Sequence, residues 1–310
     1  MNKRNTVMLQ RLMMVGLLCL GAVVTPSRGQ AGTGTTAPAP EEQVQRVVAR
    51  LKELNPGYDG KENHKIAGGQ VTGLSFSTEA VSDISPVRDL TSLQSLDCAA
   101  PWWTRKGKLA DLSPLKGLAL RKLNCNDNPQ LKDLSPLQGM PLTELGICST
   151  AVSDLAPLQG MKLSSLRACA AKVADLAPLK GMPITCLDLA HTAVADLTPL
   201  KGMPVTWLDV NGIKITDISA LQGMPMTSLR LMGNKISDLS PLRGMPLTDL
   251  GINGTAVTDL SPLKDLPLKT LWCDFVPARD AAILRSIKTL EKIGKVPVAE
   301  FWQKPENQGR

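Results

Sequence analysis

The segment DLSPL occurs four times in this chain, at 111–115, 133–137, 238–242 and 259–263. Near-copies stand between them: DISPV at 83–87, DLAPL at 154–158 and 175–179, DLTPL at 196–200 and DISAL at 217–221. With the aspartate as marker (Asp83, Asp111, Asp133, Asp154, Asp175, Asp196, Asp217, Asp238 and Asp259), the spacings are 28, 22 and then 21 six times over. A fixed period of this size is the signature of a solenoid. One unit cannot bury its apolar face alone, so successive units must stack into one continuous core.

Within one period the sequence reads M-x-x-L-x-L-x-x-N-x-I, at Met226, Leu229, Leu231, Asn234 and Ile236. This is the leucine-rich-repeat frame. Val71, Leu74, Phe76 and Val81 fit it, as do Leu142, Leu145, Ile147 and Val152, and Leu247, Leu250, Ile252 and Val257. The L-x-L core alternates with period two, which predicts a short strand. The fold class expected is an α/β leucine-rich-repeat solenoid: about ten parallel strands some 4.8 Å apart, a sheet about 48 Å long. The aspartate of each phrase is expected to cap one 3₁₀ turn on the return side, with proline in its first turn. Leu239 and Leu242 then point inward, Gly244 supplies positive φ, and Met245 returns to the core. At the asparagine position Asn128 and Asn234 keep the side-chain ladder. Thr150, Thr192 and Thr255 offer a weaker one, and Glu79, Ala171 and Ile213 depart from it.

Solenoid ends need covers. In 41–54, Val44, Val47, Val48 and Leu51 share one helical face, which predicts an N-terminal cap within 41–70. In 279–293, Ile283, Ile287 and Leu290 share a face and Gly294 ends the helix, which predicts a C-terminal cap over 277–303. The repeats fill 71–276, and 304–310 is a tail. Before the array, Lys3, Arg4 and Arg11 precede the apolar run Leu12–Val24, with small residues at Ser27, Gly29 and Ala31. This is a secretory signal pattern over 1–30, too short for an ordinary membrane span, with an uncleaved anchor as the alternative. Leu18 stands where a lipoprotein site at Cys19 would need a small residue. Residues 31–40 read as a flexible linker, and the GxGxxA within it has neither strand nor helix beside it. The expectation is an exported protein of the periplasm, envelope or medium, touching a membrane only through the N-terminal signal. The net charge of +7 falls to +3 without the four basic residues of that segment, too little and too dispersed for nucleic acid.

The frame with a trailing D-[LI]-x-P-L resembles the short repeats of the internalin family. Residues 41–303, from ELNPGYDG (53–60) to RDAAILRSIKTLEKI (279–293) and AEFW (299–302), more closely resemble leucine-rich-repeat proteins of planctomycete bacteria. In that group a serine/threonine kinase domain often precedes the array. Here there is no Gly-rich loop on a strand, no HRD and no DFG. The resemblance implies an array used for protein contacts, without implying a ligand.

The sequence carries no catalytic constellation and calls for no cofactor. It has two histidines, His64 in the loop after the first helix and His191 in a turn, and no zinc spacing or G-x-S-x-G elbow. Cys98, Cys125 and Cys273 occupy the second leucine of L-x-L and should be buried thiols. Cys148 and Cys169 face outward on adjacent rungs, about 5 Å apart. That is inside the disulfide window, but stacked parallel strands rarely offer the torsion, so we read two free thiols, with a disulfide as the alternative.

Binding by a repeat protein is expected on the concave sheet face. Trp207, Asp209 and Asn211 share a rung there, Asp188 lies before them, Arg230 and Met232 after, then Asp249, Trp272 and Asp274. Trp and Arg are enriched at binding hot spots, so this is a candidate site for a protein partner. The rival reading is a surface charge ladder, with Trp272 packed under the cap. The long repeat adds AAPWWTRKGK at 99–108, where Trp102 and Trp103 stand beside Arg105, Lys106 and Lys108. This loop could hold an acidic partner, and exposed tryptophans could bind cell-surface polysaccharide. The bland reading, preferred here, folds one tryptophan back over the core.

Overall fold

In a computed structural model, residues 38–307 are described, and they lie in one compact unit, Pro38–Arg310. The signal and most of the linker fall outside the described residues. The sheet has 13 strands in strict chain order. Ten rungs form its body: β2 (Gln70–Phe76), β3 (Ser95–Asp97), β4 (Lys122–Asn124), β5 (Glu144–Gly146), β6 (Ser165–Arg167), β7 (Cys186–Asp188), β8 (Trp207–Asp209), β9 (Ser228–Arg230), β10 (Asp249–Gly251) and β11 (Thr270–Trp272). Each pairs in parallel with the next, leucine opposite leucine, as Leu187, Leu208 and Leu229 do. The leucine-rich-repeat solenoid expected from the period is the fold observed.

The period works because each repeat hands the core the same aliphatic set. Met226, Leu229, Leu231, Ile236, Leu239, Leu242 and Met245 are all 2% exposed or less. Each such side chain contributes about 1.5–3 kcal/mol on leaving water. One hydrophobic cluster therefore runs from Val44 to Phe301. On the return side, Ser240–Leu242 and its equivalents are single 3₁₀ turns. The aspartate acts one residue earlier than a standard N-cap: Leu239, at φ −101° and ψ 4°, occupies the cap position. Asp238 reaches past it, its Oδ1 accepting the Ser240 N–H at 2.7 Å and its Oδ2 the Ser240 hydroxyl at 2.7 Å. Where alanine replaces the serine, as after Asp154, only the backbone bond remains.

The ends hold more than helices. Helix α1 (Pro40–Leu54) buries Val44, Val47 and Leu51, and an antiparallel hairpin follows it, β1 (Glu62–Ala67) with β2. His64, expected in a loop, is in β1. At the other end α2 covers only Pro277–Ser286, shorter than the apolar pattern suggests. The Ser286 hydroxyl donates to the Ile283 carbonyl, and the chain then leaves the helix to pair β12 (Lys292–Ile293) with β11. Ile287 and Leu290 are buried from that following turn. Gly294, at φ +62°, turns β12 into β13 (Val296–Pro297) instead of ending the helix.

Candidate functional site

The register fixes what the outer face of the sheet displays. One row runs Gly146, Arg167, Asp188, Asp209, Arg230, Gly251, Trp272. The adjacent row runs Cys186, Trp207, Ser228, Asp249, Thr270. Asp188, Asp209 and Arg230 are thus consecutive, with Trp207 beside them on the same strand as Asp209. Arg167, which sequence reasoning passed over, extends the row to Arg-Asp-Asp-Arg. Its signal was visible, because it holds the same frame position as Arg230.

The two carboxylates are only partly hydrated. Burial raises the Asp188 pKa to about 6, helped by Asp209 next door and opposed by the N–H of Ala190, Arg167 and His191. Burial also raises Asp209, against its bond from the Asn211 N–H and the charge of Arg230. The Arg230 Nε sits 3.9 Å from Asp209 Oδ2, a long ion pair that leaves both groups able to accept an outside partner. His191 holds the turn at φ +59°.

Trp272 and Asp274 are drawn away from this group. Gly251 separates Trp272 from Arg230, and its ring packs by the Gly294 turn of the C-terminal hairpin. Asp274 accepts the Gly254 N–H at 2.5 Å and the Asn253 amide at 3.3 Å, so it serves the last turn. Trp102 and Trp103 lie in the connection after β3, five strands before β8. Neither folds back over the core as the sequence reading preferred. They are 46% and 70% exposed and meet edge to face, centroids 5.8 Å apart. Leu96, Cys98 and Leu109, before and after the pair in the chain, are themselves buried without an indole over them.

Cys98 and Cys125 are fully buried, Sγ to Sγ 3.5 Å. Cys273 is only partly buried, because it lies on the last full rung with the short β12 beside it. Cys148 and Cys169 stand with their Cα atoms 4.5 Å apart and their sulfurs in disulfide contact, where two free thiols were expected. Among the described residues one group has metal-site spacing: Cys148, Cys169 and Asp188, with donor atoms within 4.8 Å of one another. The sulfur–sulfur contact takes both thiols out of that set, and one carboxylate does not hold an ion.

No protein-family model matches the sequence, and no curated protein matches it. A solved internalin (inlF) from Listeria monocytogenes is similar at 24% identity and TM-score 0.59, over 84% of this chain and 85% of its own. The fold is that of the internalin repeats. A plant ice-binding protein is similar at 15% identity and TM-score 0.52, over 74% of this chain and 85% of its own. No helix among the described residues is long and apolar enough to cross a membrane.

Proposed function

We infer that this chain is a non-catalytic binding module that holds a protein partner on the outer face of its sheet, at Arg167, Asp188, Trp207, Asp209 and Arg230. The observation carrying this is the register. It lines up four charges on four successive rungs and sets an indole against them. Half-buried carboxylates with raised pKa are costly in the isolated protein, and a partner's cation would relieve that cost. Tryptophan and arginine are the side chains that anchor such contacts. The internalin-type fold suits the role, since a stack of short rungs offers a long, regular surface. The partner would be met outside the cytoplasm, as the signal-like segment at 1–30 implies.

The test is a pull-down with the repeat unit and a Trp207→Ala/Arg230→Ala variant of unchanged melting temperature. The expected result is one protein held by the parent and released by the variant. Equal capture by both would remove this face from the function.

A further inference from the structure

We propose that the loop at 99–108 docks this protein on an anionic bilayer surface, with Trp102 and Trp103 entering the headgroup layer and Arg105, Lys106 and Lys108 lying among the phosphates. This surface is separate from the sheet face and does not depend on it.

The apolar part is unusual for its place. Trp102 and Trp103 are adjacent and exposed, while nearly every other large apolar side chain among the described residues is covered. An indole combines an apolar body with one N–H donor, which suits the boundary between lipid and water. The loop that carries the pair is pinned at both feet. The Ala100 N–H donates to the Asn126 carbonyl at 3.1 Å, that of Gly107 to Asp127 at 3.0 Å, and that of Lys108 to Thr78 at 2.9 Å. The Thr104 and Arg105 N–H groups both close on the Pro101 carbonyl at 3.0 Å. A Cβ on Gly107 would sit 2.1 Å from the Asn128 Oδ1, so this foot packs flush against the buried ladder. A tip held this way loses little conformational freedom on docking.

The charge is one-sided. Lys106 and Lys108 are exposed, and Arg105 alone of the three has an ion-pair partner, Asp127 at 3.8 Å. The loop 99–108 carries no acid of its own; Asp97 and Asp111 stand on either side of it in the chain, and Glu79 follows Thr78, whose carbonyl holds Lys108. Basic residues beside exposed aromatics are what an anionic leaflet attracts. A glycan is the competing ligand, but sugar rings stack on the faces of aromatic platforms. The two indole planes meet at 87° and form a wedge instead of a platform.

The test uses residues 38–310, which have a continuous core and both end caps, so that the apolar run 12–24 adds nothing. Sedimentation is compared with vesicles of phosphatidylcholine alone and mixed with phosphatidylglycerol, and tryptophan emission is followed. Binding to the mixed vesicles only, with a blue shift, is expected. Trp102→Ala/Trp103→Ala should abolish it, Trp207→Ala should not, and Lys106→Glu/Lys108→Glu should weaken it about tenfold or more. The charge variant changes only exposed side chains, and a melting temperature equal to the parent's separates loss of charge from unfolding. No sedimentation, or sedimentation unchanged in the double tryptophan variant, would overturn the proposal. So would an emission shift on adding an acidic polysaccharide with none on adding vesicles.

Discussion

Asn128 and Thr150 hold the same place in successive repeats and carry different loads. The Asn128 amide donates to the carbonyls of Cys98 and Cys125, and its Oδ1 accepts the Thr78 hydroxyl and the Leu109 N–H. The hydroxyl of Thr150 reaches only the Ile147 carbonyl of its own rung. Asn234 likewise spans two rungs, bonding Val210 and Leu231, which covers the repeat where Ile213 has nothing to offer. Asn128→Ala would strand several buried polar groups at about 1–3 kcal/mol each, whereas Thr150→Val should cost about 1 kcal/mol. Chemical denaturation of the two variants checks this; equal losses would contradict it. Asp188 gives a pH signature. Its folded pKa of about 6 lies above the unfolded value near 3.9, so its charge destabilises the fold fully above pH 6 and not at all below about pH 4. Asp188→Asn keeps the acceptor for the Ala190 N–H, so it should raise stability by about 1–3 kcal/mol at pH 7.5 and change little at pH 4. Melting temperatures at the two pH values decide it. The return-side aspartates act in the opposite sense. Bonds from Ser135, Ser240 and Ser261 lower Asp133, Asp238 and Asp259, so the stability they give is present above about pH 4 and is lost as pH falls through their lowered values.

At the scale of elements, each rung from β3 to β10 is a strand of three residues, a turn and a 3₁₀ return, too short to persist alone. A second ladder stiffens the stack. Hydroxyls of Thr143, Ser164, Thr185, Thr206, Thr227 and Thr248 each donate to the carbonyl one rung earlier, at 3.0–3.2 Å. The long connection after β3 interrupts the regular period inside the array. Gly107→Ala should lower stability by about 1–3 kcal/mol, because the added methyl must displace the Asn128 carboxamide. A melting temperature equal to the parent's would show that the loop is not packed as described. The period, the strands and the inward leucines were legible in the sequence because each recurs at a fixed spacing. The hydroxyl ladder recurs just as regularly and was missed, since serine and threonine before a strand read as ordinary solvated residues. The two hairpins were missed because each occurs once. Thr78, buried and bonded to Asn128, does the work assigned to the Glu79 position, a shift of one residue that no period reveals.

For the whole molecule, stability is a sum of rung and neighbour terms, so damage at one rung weakens the stack on both sides. Leu208→Ala, at a fully buried central position, should cost about 2–5 kcal/mol, read by denaturant titration. The ends matter for the same reason, since β1 pairs with the first rung, β2, and β12 with the last, β11, where each would otherwise lack a neighbour. The candidate site was half legible. Trp207, Asp209, Asp188 and Arg230 come together because frame position dictates the face. Trp272 and Asp274 share that frame but answer to the C-terminal cap, which no repeat pattern describes. The most direct test places a photo-crosslinking residue at Ser228, on the outer face beside Trp207, or at Gln222, on the exposed return side. Irradiation in extracts of the source organism should give one discrete adduct from Ser228 and none from Gln222. Adducts from Gln222 alone, or equal labelling from both positions, would contradict a binding role for the sheet face.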